Sequence, residues 1–92
     1  MATYLMFGKY TLEALKGISA KRTEEAAALI KKHGGELKAA YALLGDTDLV
    51  LIVDLPDNGQ AMKLSAAMAE KFNISFTTAP AVSVADFDKL MG

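Results

Sequence analysis

The sequence contains no cysteine, no tryptophan, one histidine and two prolines in 92 residues. Without cysteine there is no disulfide framework, no thiolate nucleophile and no zinc site of the cysteine type, and a reducing cytoplasm suits the chain. An excess of charge of one sign is also missing. Ten basic and eleven acidic residues are dispersed along the chain, giving a formal net charge of −1, so there is no electrostatic footprint for nucleic acid or an anionic membrane. No apolar run approaches the ~18–20 residues that a membrane helix needs, and the chain opens on a strand pattern instead of a signal peptide. The expectation is a soluble, cytoplasmic, single domain over residues 1–92, whose 52% hydrophobic share goes into one core and into interfaces.

What is present is organised around residues 43–56. Leu49 to Val53 is continuously apolar, β-branched at Val50, Ile52 and Val53, and the run closes at Pro56, which has no N–H to continue a ladder. Leu49, Leu51, Val53 and Leu55 fall on one side and Val50 and Ile52 on the other, so both faces of this strand should be covered. Before it, Gly45-Asp46-Thr47-Asp48 reads as a hairpin turn from an earlier strand over 36–44.

The first strand is expected over 3–9. Leu5 and Phe7 share one side and Tyr4, Met6 and Tyr10 the other, again with little polar alternation. Thr11 can cap a short turn over 12–15, Gly17 interrupts it, and Ser19 caps a longer helix to His33, so the two together form a helical corner. Ala26, Ala27, Leu29 and Ile30 give that helix its buried side. Glu24 and Glu25 are expected near its positive end, Lys31, Lys32 and His33 near its negative end, and Gly34-Gly35 stops it. Asp57 caps a second helix running to Lys71, with Gln60 as a capping-box partner and Asn73 ending it in the left-handed conformation. A fourth strand over 74–78 follows, and a last helical turn over 86–90 carries Phe87 and Leu90, which need something to pack on.

Strand, helix, strand, strand, helix, strand is the split βαβ, ferredoxin-like α+β arrangement: a four-stranded antiparallel sheet with two helices on one face and the first and third strands at its centre. Since both central strands are apolar on two sides, the uncovered sheet face should pack on another subunit, giving a homodimer or higher homo-oligomer.

The segments Phe7-Gly8-Lys9-Tyr10-Thr11, Leu15-Lys16-Gly17-Ile18, Gly34-Gly35-Glu36-Leu37 and the stretch 44–58 resemble the GYD-domain family over nearly the whole chain. That family's Gly, Tyr, Asp signature falls on Gly45, Thr47 and Asp48, so threonine stands in the tyrosine's place. The resemblance implies a small bacterial or archaeal protein of the dimeric α/β-barrel kind, with no catalytic residues to carry over.

Each candidate for chemistry has a structural reading that outweighs it. His33 sits in the last turn of a helix without partners, where it favours the dipole. Asp46 and Asp48 are followed by strand and lack the further oxygen ligands that a cation such as Ca²⁺ requires. Met62 and Met68 recur at helical spacing as core filling, and no glycine pattern matches a nucleotide-binding loop. Neither a metal nor a cofactor is implied. The phenols are the more informative groups, because a tyrosine at an interface can donate to a ligand oxygen. The expected ligand site is therefore a cavity beside the first strand lined by Tyr4, Met6, Tyr10 and Tyr41, with Gly8 leaving room and Leu5 and Phe7 turned toward the helices. The expected function is a homo-oligomeric binding or interaction module with space between facing sheets, or beneath the helical corner, for a small apolar or aromatic ligand. The competing readings are a cofactor-less enzyme of the dimeric-barrel type, a monooxygenase or isomerase for which no base with an orienting partner is visible, and a purely structural oligomerisation unit.

Overall fold

Residues 1–92 are described by a computed structural model in which the elements follow as β1 (Ala2–Tyr10), α1 (Leu12–Lys16), α2 (Ala20–Lys32), β2 (Glu36–Ala42), β3 (Leu49–Leu55), α3 (Asn58–Phe72), β4 (Ile74–Ala81) and α4 (Val84–Met91). The strands form one antiparallel sheet in the order β2-β3-β1-β4. The two strands without polar alternation are thus the central ones, as their composition implies. No helix is long and apolar enough to cross a membrane.

Local chemistry accounts for the boundaries. Thr11 and Ser19 accept from the amides of Ala14 and Arg22 and start α1 and α2, which makes the helical corner. At the end of α2, Gly34 takes φ +82° and the amides of Gly34 and Gly35 return to Lys31 and Ile30, a stop that a side chain would strain. Asp57 caps α3 through the Gln60 amide at 2.8 Å, and Asn73 ends it at φ 58°. The Gln60 side chain does not close a capping box; its Oε1 lies 3.3 Å from His33 Nδ1.

Several boundaries differ from the sequence pattern. β2 ends at Ala42, and Leu43 and Leu44 join the turn because Leu43 N–H bonds the Asp48 carbonyl at 2.8 Å and closes the loop there. β4 continues to Ala81 through Pro80, which an edge strand tolerates since one side of it has no ladder. The last turn is a full helix, α4, capped by Ser83. Glu24 and Glu25 lie beyond the first turn of α2, which contains no acid.

The core lies between the sheet and α1, α2 and α3, with Met6, Ile30, Val53, Leu55, Leu64 and Met68 essentially inaccessible. Tyr4 (2% exposed) and Met6 (0%) belong to it. Leu5 and Phe7, assigned by pattern to the helix side, instead lie on the open sheet face, partly exposed. The register explains the reversal: Tyr4 pairs with Val53 and Met6 with Leu51, while Leu5 pairs with Ile52 and Phe7 with Val50, so the tightly buried parity of β3 carries Tyr4 and Met6 with it. Met62 is exposed on α3 and only Met68 fills the core.

Candidate functional site

Gly8 is where the helix-side surface of the sheet is shaped. A Cβ there would stand 2.7 Å from Leu49 Cδ2, 2.8 Å from Phe76 Cε1 and 3.1 Å from Ile74 Cγ2, so the room that the missing side chain leaves is taken by these three residues. All three line a cavity of about 80 Å³ beneath the helical corner, bounded also by Arg22, Thr23 and Ala26 of α2, Met68 and Phe72 of α3 and Leu51 of the sheet. Tyr10 stands at its edge. Arg22 lies over the Tyr10 ring with its guanidinium carbon 5.3 Å from the centroid, a cation–π geometry, and its Nη1 donates to the Ala14 carbonyl.

A second, more open space of about 450 Å³ runs between α3 and β4. Its hydroxyls are already paired. The Tyr4 hydroxyl donates to Asn58 Oδ1 at 2.5 Å, and Ser65 and Thr78 share a hydroxyl bond of 2.9 Å. No base stands behind either hydroxyl, so the groove offers surface and hydrogen bonding without an activated nucleophile.

The expected ligand residues therefore do not line one space. Tyr10 borders the inner cavity, Tyr4 the outer groove, and Met6 is sealed in the core between them. Tyr41, paired with Val50, is 58% exposed on the opposite sheet face. Phe76 is common to both helix-side spaces. Arg22 went unnoticed in the sequence, although it had a signal: with Lys21, it puts cations in the first turn of a helix, where the dipole disfavours each by about 0.3–1 kcal/mol.

On the open face, Leu5, Phe7, Ala39, Tyr41, Val50 and Ile52 form an uncharged centre. Charge is kept to the two ends: at one, Asp54 accepts from Thr3 Oγ1 at 2.9 Å and Lys38 Nζ lies 3.6 Å from Asp54 and 3.4 Å from Glu36, and at the other stands Lys9, of the same parity as Leu5 and Phe7. Asp48 is occupied as a brace of the hairpin, since Oδ2 accepts from Tyr10 N–H at 2.9 Å and its amide bonds the Gly8 carbonyl at 2.8 Å.

Element order and sheet order together define an α+β domain of the ferredoxin-like class. The GYD domain family matches residues 4–91, and the chain belongs to that family. Two solved structures share the fold. A leucine response regulatory protein (LrpA) of Mycobacterium tuberculosis aligns with TM-score 0.59 and 11% identity over 89% of this chain and 51% of its own. The second, of a glutamate-to-alanine mutant, aligns with TM-score 0.58 and 13% identity over 89% of this chain and 50% of its own. The chain thus spans about half the length of these structures. No curated protein matches it.

Proposed function

We propose that the chain is a self-associating binding module of the cytoplasm, assembled by apposition of two open sheet faces. The observation that carries this reading is the uncharged centre formed by partly exposed Leu5, Phe7 and Ile52 around the buried Val50, on a face that no helix of the chain covers. A two-fold interface brings a patch against itself, so it needs a surface free of like charge at its centre. This face has one, with its only ion pairs at the rim.

Area supports a contribution from α4 as well. Four strands about 4.8 Å apart and about seven residues long at ~3.3 Å per residue project roughly 450 Å², against about 800 Å² per partner in a standard interface. Residues 82–92 are all exposed, and Val84, Phe87 and Leu90 form an apolar stripe at least half exposed along its length. The radius of gyration, 13.6 Å, exceeds the ~12.3 Å of a compact chain of this length, as a projecting arm requires. In this reading the second copy covers both the sheet face and the stripe, and a small molecule, not nucleic acid, is the other partner. Of the four residues expected to hold it, Tyr10 is the one at the inner cavity.

Sedimentation velocity at micromolar concentration tests the assembly. A dimer that Ile52→Asp converts to a folded monomer is the expected result; a wild-type monomer at these concentrations overturns it.

A further inference from the structure

The cavity beneath the helical corner is apolar throughout its floor but has a cation at its mouth. Arg22 is only partly exposed, and it has no carboxylate partner: both ion pairs of the chain involve Lys38. One of its nitrogens is engaged by the Ala14 carbonyl. A guanidinium has five N–H donors in a planar fork, and here the others meet no protein acceptor. Stacking on Tyr10 and the bond to Ala14 hold the group in place, and Gly17 leaves it room, since an added Cβ there would stand 3.3 Å from Nη1. The cation also sits at the positive end of a 13-residue helix whose first turn contains no acid. A charge placed against the local field, left unpaired and immobilised at the edge of an apolar space is arranged for an anion from outside the chain.

We propose that this cavity binds a short-chain carboxylate, with the apolar tail among Ala26, Leu51, Met68 and Phe76 and the carboxylate on the free edge of Arg22. This deepens the small-molecule part of the function proposed above and rests on it. Size sets the tail. A cavity of about 150 Å³ accommodates benzene, so a space of about 80 Å³ takes roughly half as many carbons, a compact tail of about three. None of the lining residues is acidic, which leaves an α-ammonium without a partner and favours a simple carboxylic acid over an amino acid.

The experiment is an amide-resolved NMR titration of the full chain with isobutyrate and, separately, with isobutyramide, which has the same shape and no charge. Isobutyrate should give saturable shifts at Tyr10, Thr23, Ala26 and Phe76 with at least tenfold higher affinity than the amide. Arg22→Gln should lose at least that tenfold preference, and Arg22→Lys should keep part of it. Ala26→Leu, which places three carbons in the cavity, should abolish binding without lowering the thermal midpoint. Equal affinity for acid and amide overturns the carboxylate assignment and leaves the cavity as an apolar site. No shifts, or shifts scattered over surface lysines, overturn both. Should Arg22→Gln fail to fold, the wild-type comparison of acid with amide and the Arg22→Lys titration decide the matter.

Discussion

Single side chains on β1 do two kinds of work. Tyr4 buries its ring in the core and delivers its hydroxyl to Asn58 at the start of α3, so Tyr4→Phe removes one hydrogen bond while leaving the packing in place. A loss of about 1–2 kcal/mol is expected, read as a fall of the thermal midpoint of roughly 4–8 °C per kcal/mol for a domain of this size. An unchanged midpoint would mean that the bond contributes nothing. Gly8 acts by absence. Gly8→Ala drives a methyl into Leu49 and Phe76, a destabilisation of about 1–3 kcal/mol by overpacking, and it should also shrink the cavity, so isobutyrate affinity should fall with it. The same position shows where reading the sequence stopped: that Gly8 makes room was legible, but what occupies the room depends on Leu49 and Phe76, which the register brings from two other strands.

At the level of elements, the caps were legible because each is a local matter: the side chains of Thr11, Ser19 and Asp57 accept from one amide each and start helices, and Asn73 ends α3 by taking the left-handed conformation. The parity of β1 was not. Leu5 with Phe7 and Tyr4 with Met6 are both apolar sets, and hydrophobicity cannot rank two apolar faces; the choice is made by pairing with β3, whose Leu51 and Val53 lie under the helices. The candidate site was less legible still, since Arg22 and Phe76 are 54 positions apart and meet only across the fold. Adjacent positions of β3 give the test of parity. Leu51→Asp puts a carboxylate into the core, at a penalty of at least ~3 kcal/mol, and should prevent folding. Ile52→Asp puts the same group on the open face and should leave the circular dichroism spectrum intact. If both variants unfold alike, or both fold, the two faces of β3 do not differ as described.

The whole molecule measures 47 × 29 × 19 Å, and its long axis raises the question of what α4 is for. Its Phe87 (50% exposed) and Leu90 (71%) lie on one stripe with Val84, an amphipathic pattern left largely uncovered by its own chain. An eight-residue helix is too short to persist alone in water, so its order has to come from packing. If the second copy supplies that packing, α4 contributes to association and not to the fold of the single chain. The double change Phe87→Ser, Leu90→Ser is then expected to leave the thermal midpoint at high dilution within about 0.5 kcal/mol of wild type. Burial of a large apolar side chain is worth about 1.5–3 kcal/mol, and 1.4 kcal/mol is tenfold in affinity, so the dimer dissociation constant should rise by at least tenfold even if each stripe is only partly covered. Sedimentation equilibrium over a hundredfold range of concentration reads this directly. An unchanged dissociation constant would show that the sheets associate without the arm. A fall in the midpoint of the dilute chain by several degrees would show instead that α4 folds back on its own domain in solution, and the projecting arm would have to be abandoned.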